Sequence, residues 1–322
     1  MRENTPLKNI PLPDYQLYRD TICKKYGVTL PLPASSPPGS NKLPVPLGRE
    51  KTGWPWETNS IGNQANYALP KITVVMPSFQ QGRFVEAAIR SVLLQNYPQL
   101  ELIIIDGGST DETMSVLAHY KDFISFSLSE KDSGQSNALN KGFALASGEV
   151  YCWLNSDDML CEGCLNKIGS IFSSNAHLDI VYGDGFSLED QTGEMTFDFA
   201  PLVLERYLRF GGIVLSHSVA WRSKVHCPVW EDLQCAMDAE LWLRLFTGRR
   251  SKHSLIPIGI ARKHPQQKTA NGSNWEKKWA DDYQKYIWQW YPAVKSWKWR
   301  VYEYRLVQKM FRYYRHISGQ VG

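Results

Sequence analysis

The chain of 322 residues has no stretch approaching the roughly 18 to 20 uncharged apolar residues that a membrane-spanning helix requires. A spanning segment is therefore not expected. Its six cysteines, at 23, 152, 161, 164, 227 and 235, are too scattered for a disulfide framework in a chain of this size. Reduced thiols are the expectation. Cys161 and Cys164 form a lone C-x-x-C with no second pair at ligand spacing, so they are read as packing in or near the helix after Asp158 rather than as zinc ligands. The first residues, Met1-Arg2-Glu3-Asn4, carry no apolar signal region, and a cytoplasmic protein follows from that reading. Internal repeats are absent as well. The formal charge is only +4, yet Tyr291 to Gly322 holds seven Lys and Arg residues against Glu303 alone.

What is present is a sequence of apolar runs that stop at polar residues. Leu102 to Ile105 ends abruptly in Asp106-Gly107-Gly108-Ser109-Thr110-Asp111, Lys71 to Met76 ends in Pro77-Ser78, and Val150 to Leu154 ends in Asn155-Ser156-Asp157-Asp158. Short branched-apolar runs fit strands covered on both faces. In open α/β sheets, ligands bind beyond the carboxyl ends of such strands. Val85, Ala88, Ile89, Val92 and Leu93 recur at helical spacing, and helices are also expected from Asp111 to about Tyr120, from Ser136 to Ala146 before Gly148, and from Met237 to Phe246. Ser109 and Glu112 have the spacing of a capping box. Further strands are expected at Phe123 to Leu128 and Ile180 to Asp184. The expected organisation is a Pro-rich extension over 1–70, wrapping the core through Trp54, Trp56 and Tyr67, then an α/β domain over 71–269, then a basic, aromatic, wholly helical segment over 270–322.

Taken in order, the motifs from Val74 to Phe79, from Ile105 to Asp111 and from Leu154 to Asp158 resemble those of the family 2 inverting glycosyltransferases with a GT-A fold. The resemblance extends over Ser129 to Ser136 and Asp238 to Arg244, and so covers about residues 71–269. It implies an α/β fold with a mixed, mostly parallel sheet flanked by helices, with an N-terminal extension and C-terminal helices. The implied activity is metal-dependent transfer of one hexosyl or N-acetylhexosaminyl unit from a nucleotide-diphospho-sugar to a glycan or lipid-linked acceptor.

Paired acids at a strand end are hard oxygen ligands suited to Mn2+ or Mg2+, which retain positions for phosphate oxygens. Asp157 and Asp158 are the candidates, and which of them ligates stays open because Asn155 stands where many relatives carry a further Asp. His264 resembles a late family position near the diphosphate or metal. Asp106 is implied to contact the nucleoside, with Pro77 and Ser78 lining the same cleft. Asp132, Gln135 and Asn137 are implied to approach the nucleotide or donor sugar together with Asp157, and Lys141 lies beyond them. Ser109 and Asp111 are read as structural. Asp238, the second acid of a pair whose first position is Met237 here, is the implied general base. Glu240 is two residues on, about 200° round a helix, and should not share its direction.

Processive relatives carry a Gln-x-x-Arg-Trp motif and membrane spans; neither is present, which favours single additions in polysaccharide or glycoconjugate synthesis. Two rival functions remain: a sugar-nucleotide pyrophosphorylase, for which Pro77 to Arg83 is a poor Gly-rich phosphate loop, and a non-catalytic glycan-binding protein, against which Asp106, Asp157, Asp158 and Asp238 speak together. The aromatic, basic C-terminal segment fits an anionic membrane surface at the inner face of the membrane, or equally helices packed on the catalytic domain. No nucleic-acid module is recognisable, and nucleic acid is not an expected partner.

Overall fold

The computed structural model describes residues 12–35, 43–47, 52–57, 69–204, 214–270, 272–287 and 298–318. Its first element is one that the composition of the extension disfavours. Helix α1 (Tyr15–Tyr26) occupies the proline-free window between Pro13 and Pro31, opened by Asp14, whose side chain accepts the Leu17 N–H at 2.9 Å, and closed by Gly27 at φ +63°. Averaging over 70 residues concealed this window. The helix docks through the Tyr15 hydroxyl on the Phe143 carbonyl and Arg19 on the Ala146 carbonyl, both 2.8 Å. Further on, the Trp54 indole donates to the Leu160 carbonyl at 2.8 Å, and Arg90 donates to the carbonyls of Pro44, Pro55 and Trp56. Tyr67 lies outside the described residues.

Strands β1 (Ile72–Ser78) and β2 (Leu100–Asp106) pair in parallel and are buried at every position. Their side chains alternate between two cores: Val75, Ile103 and Ile105 face one side, while Val74, Met76, Leu102 and Ile104 face the other. Continuous burial explains why these runs show no polar face. Helices α2 (Val85–Leu93) and α3 (Thr113–Tyr120) lie on the second side. Strand β3 (Phe126–Ser129) joins β2 in parallel, helix α4 (Gln135–Leu145) covers the first side, and β4 (Val150–Trp153) joins β1 in parallel. Gly142 is where α4 meets the sheet, since a Cβ there would come within 2.3 Å of Val75 Cγ1.

The remainder continues the same sheet: β5 (Met159–Leu160), helix α5 (Cys164–Ser174), β6 (Ile180–Glu189), β7 (Met195–Asp198), β8 (Val219–Arg222), helix α6 (Met237–Phe246) and β9 (Ser251–Lys263). The order is β3-β2-β1-β4-β8-β6-β9-β5, with β7 on β6. The longest pairings, β1 with β2 and β6 with β9, are parallel, whereas β8 runs antiparallel to both its neighbours. This is the mixed α/β sheet that the resemblance implied. Strands β5, β7, β8 and β9 were not legible in the sequence: β5 and β8 are only two and four residues long, β7 has no buried residue, and most of β9 is only partly covered.

One local expectation is corrected. The Ser109–Glu112 capping box does not form: α3 begins at Thr113, and it is Asp111 whose carboxylate accepts the Thr113 and Gly82 N–H groups at 3.0 and 2.8 Å. Ser109 is drawn instead into the turn below Asp106. The C-terminal segment is helical over its described residues from Gly272 to Ile287 and from Lys298 to Ile317. Helix α7 (Gly272–Asp282) passes into a π-helical turn (Tyr283–Ile287), and α8 (Lys298–Ile317) follows; residues 288–297 lie outside the described residues. Among the described residues no helix is long and apolar enough to cross a membrane. The six cysteines are unpaired. Cys161 and Cys164 sit in the core beside β5, where burial pushes the Cys161 thiol up to about 12.

Candidate active site

The carboxyl ends of β1, β2, β3 and β4 lie along one edge of the sheet, because all four strands run in parallel. At the end of β2 the Asp106 carboxylate is fully buried. It accepts the Gly108 and Ser109 N–H groups at 3.1 and 2.8 Å and the hydroxyls of Ser109 and Ser129 at 2.6 Å each. These four donors come from the chain itself, so Asp106 shapes the turn beneath the cleft. Gly108 adopts φ +83° in that turn, a conformation that favours glycine. Pro77 lies inside β1 opposite Ile105, and the buried Ser78 hydroxyl has no hydrogen-bond partner among the described residues. Gly107 is overlaid by Asp132, whose carboxylate oxygens would stand 3.3 Å from a Cβ there, and by the exposed ring of Phe79. Asp132 Oδ1 also accepts the Gly134 N–H at 2.8 Å, at the start of α4.

The loop after β1 is already committed. The backbone N–H groups of Gln80, Gln81 and Gly82 donate to Ser109, Thr113 and Asp111 side chains at 2.7, 3.0 and 2.8 Å. A phosphate-cradling loop would need those donors free.

Beyond β4 the paired acids diverge. Asp158 turns into the fold, accepting the Arg262 N–H at 3.0 Å and the Asn155 amide at 3.2 Å, with His217 Nδ1 at 3.7 Å from its Oδ2. Burial, and then the neighbouring charge of Asp157, hold its carboxyl well above the usual carboxylate range. Asp157 stays partly exposed, and its Oδ2 stands 3.2 Å from His264 Nε2. The His264 ring packs at 4.4 Å on Phe84, and its Nδ1 is buried without a partner among the described residues. Arg262 reaches the Asp157 carbonyl at 3.2 Å and Asp190 at 3.1 Å. Burial pushes His217 down to about 4, opposed by the charges of Asp198 and Asp157.

Asn155 makes this arrangement intelligible. Its Oδ1 accepts Gln135 Nε2 and Trp153 Nε1 at 2.7 Å each, while its Nδ2 donates to Asp158. An aspartate there would lack the donor and add a third carboxylate beside two. The chain of contacts continues outward: Lys268 Nζ donates to Gln135 Oε1 at 3.2 Å, and the Lys268 charge acts on Asp238. Asp238 is half-buried in the first turn of α6, where burial raises its pKa and the Ala239 N–H, donating to its Oδ1 at 2.7 Å, opposes that shift. Glu240 points elsewhere, fully buried in a two-pronged pair with Arg244 at 2.6 Å.

Two expected residues are held by partners within the chain. Asn137 Nδ2 donates to Glu231 at 3.0 Å, joined by Asn140 at 2.8 Å, and Lys141 is paired with Glu130 at 2.8 Å. Sequence reasoning missed Glu231 and also Asp282, whose buried carboxylate accepts the N–H groups of Gln234, Cys235 and Ala236 at 2.9, 2.7 and 2.9 Å and so anchors the start of α6. Neither lies in a local pattern that would have revealed it.

As to metal, no group of three or more His, Cys, Asp or Glu side chains is arranged to hold an ion among the described residues. Asp157 and His264 are two converging donors. That number suits Mg2+ or Mn2+, which bind through one or two protein groups plus water and substrate phosphates.

Comparison with known proteins agrees with this architecture. Residues 73–211 match the model of glycosyl transferase family 2. An uncharacterized glycosyltransferase of Nostoc sp. is 30% identical over 147 residues, covering 42% of this chain and 46% of that protein. The GalNAc(5)-diNAcBac-PP-undecaprenol beta-1,3-glucosyltransferase of Campylobacter jejuni is 30% identical over 142 residues, 43% of this chain and 45% of its own. The chain thus spans about half the length of these relatives. Among solved structures, S. aureus TarS 1-349 in complex with UDP-GlcNAc superposes with a TM-score of 0.52 at 16% identity, over 65% of this chain and 64% of that one. TarS 1-349 alone gives 0.50 at 17% identity, over 68% and 73%.

Proposed function

We propose that this chain, whose residues 73–211 match the model of glycosyl transferase family 2, moves one sugar from a nucleotide-diphospho-sugar to a hydroxyl of a glycan or lipid-linked acceptor, with inversion at the anomeric carbon. The observation that supports the reading is the hydrogen-bonded line from Lys268 through Gln135 and Asn155 to Asp158, beside the Asp157–His264 pair, with the Lys268 charge acting on Asp238 at the line's outer end. Inverting transfer needs those two functions on one cleft: a proton acceptor for the incoming hydroxyl and charge stabilisation for the departing diphosphate.

In this reading Asp238 accepts the acceptor hydroxyl proton, and burial makes its carboxylate a better base than a solvated one. Asp282 fixes the turn from which α6 starts, and so the direction of Asp238. Asp157 and His264 would hold Mn2+ or Mg2+; the ion, when bound, neutralises charge on the diphosphate. Asp158 holds β9 through the Arg262 N–H and thereby sets the distance between Asp157 and His264. Asp106 holds the glycine turn over which Asp132 and Phe79 line a slot for the nucleoside, with Pro77 and Ser78 behind it. Gln135 and Lys268 flank the donor sugar, and Asn137 with Glu231 borders the acceptor side. The names of the similar proteins support donor and acceptor alike: TarS is seen with UDP-GlcNAc, and the Campylobacter relative acts on an undecaprenol-linked saccharide. The committed N–H groups of residues 80–82 weigh against the pyrophosphorylase alternative.

The test is a thermal-shift screen of nucleotide sugars with and without Mn2+. A donor at a hundred times its dissociation constant adds about 2.7 kcal/mol of stability, and excess EDTA should abolish that gain. No stabilisation by any nucleotide sugar would overturn the proposal.

A further inference from the structure

Helix α8 presents faces that sugar transfer does not use. One side is fastened to the fold: Arg315 pairs with Asp184 at 2.7 Å, Gln308 exchanges hydrogen bonds with the Leu202 backbone at 2.7 and 2.9 Å, and Phe311 meets Phe199 and His253 edge-on at 5.5 and 5.4 Å. Residues 308, 311 and 315 recur at helical spacing and mark the docked face. Opposite them, Leu306, Met310, Tyr313, Tyr314 and Ile317 are each 59% to 68% exposed. At about 100° per residue these five fall within an arc of about 100°. Between the two faces, Arg305, Lys309, Arg312 and His316 form an exposed stripe within about 60°. Glu303, near the start, is the helix's one acid. Single exposed apolar residues are ordinary; a stripe of five over three turns is not.

We propose that this face of α8 seats the protein on an anionic lipid bilayer, the apolar arc entering the headgroup boundary and the basic stripe lying against lipid phosphates. Three-sided helices of this kind, with aromatic and aliphatic residues bordered by Lys and Arg, lie in the interface plane. Tyrosines suit the headgroup level. A second copy of the chain is a poorer occupant, because a two-fold contact through this arc would bring one basic stripe against its twin. The basic edge also continues inward. Arg312 and His316 line an open pocket of about 710 Å³ with Asp198, Phe199 and Leu215, and Asp198 is one of the charges that act on His217 beside the paired acids. The proposal rests on α8 and not on the transfer reaction, so its failure leaves the transfer reading intact.

The test is flotation of the full chain with phosphatidylcholine vesicles, with and without phosphatidylglycerol. The wild type is expected to float with the anionic vesicles at low ionic strength and to be released as salt rises. Arg305→Glu with Lys309→Glu should weaken that binding by about 25-fold or more, from roughly fivefold per charge. Leu306→Ser with Met310→Ser should remove it while the thermal transition stays unchanged. Equal flotation with neutral vesicles, flotation with neither, or an apolar-stripe variant that floats like the wild type would overturn the proposal. So would a wild-type dimer in light scattering that the serine variant dissolves without any vesicle binding.

Discussion

Replacing Asp238 by Asn tests the assignment of the base with little disturbance of the fold. The side chain keeps its volume and the Oδ1 that accepts the Ala239 N–H at 2.7 Å. It loses the ability to take up a proton. A positioned general base contributes roughly 10²- to 10⁴-fold, so kcat should fall by that factor, equivalent to about 2.7 to 5.4 kcal/mol of barrier. Donor affinity, measured by calorimetry with the nucleotide sugar, should change by less than about threefold, because the Asp157–His264 pair and the Asp106 turn are untouched. The pH profile supplies a second reading. Burial raises the Asp238 pKa above its ordinary value, and the base works only when ionised, so wild-type activity should fall as pH drops through that raised value. The acid limb should be missing from the variant. A variant that keeps more than a third of wild-type kcat, or that loses donor binding while turning over normally at saturation, would refute the reasoning.

Other expectations follow from particular contacts. Asp157→Ala or His264→Ala should raise the Mn2+ concentration needed for half-maximal activity by tenfold or more without changing the melting temperature much; an unchanged metal requirement in both would remove them as ligands. Arg315→Met leaves Asp184 buried without its cation, at 2.9 and 2.7 Å in the wild type, and should cost about 3 to 5 kcal/mol in denaturant unfolding; a loss below about 1 kcal/mol would contradict the buried pairing. Gly142→Ala should destabilise by about 1 to 3 kcal/mol through the 2.3 Å clash with Val75, and a neutral effect in urea titration would mean that α4 can shift away from the sheet. His226 is half-buried, its ring stacked on Trp221 and tilted against Phe143, and desolvation there pushes it down to about 3. The unfolded chain therefore binds its proton first, so stability should fall with pH from about 6.5 towards 3, by up to about 1.4 kcal/mol per pH unit, and His226→Phe should flatten that slope.

Much of the fold was legible because hydrophobic patterning is local. The apolar runs at 71–76, 102–105 and 150–154 declared the strands observed at 72–78, 100–106 and 150–153, and α6 was found at its observed ends because its apolar stripe begins and stops there. The order of the strand ends, each followed by a polar turn, already placed Ser78, Asp106 and Asp157 at one edge of a sheet. Where local signals competed, the reading slipped. Ser109 has the spacing of a cap, yet Asp106 and Gln80 claim its hydroxyl, and a 12-residue helix hid within a Pro-rich average.

What the sequence by itself determined is thus the set of strands and helices around β1 and β2, and the residue types delivered to their ends, since both depend on neighbours within a turn or two. Tertiary structure alone decided what those residues do. It turned Asp158 inward and left Asp157 facing His264, 107 residues away; it gave Asp106 four donors; it tied the start of α6 to Asp282 and clamped α8 through Asp184. Such pairings join residues with no shared period, so nothing in the local pattern encodes them. They exist because a buried carboxylate must find donors or a cation, and the packed fold determines which ones are within reach.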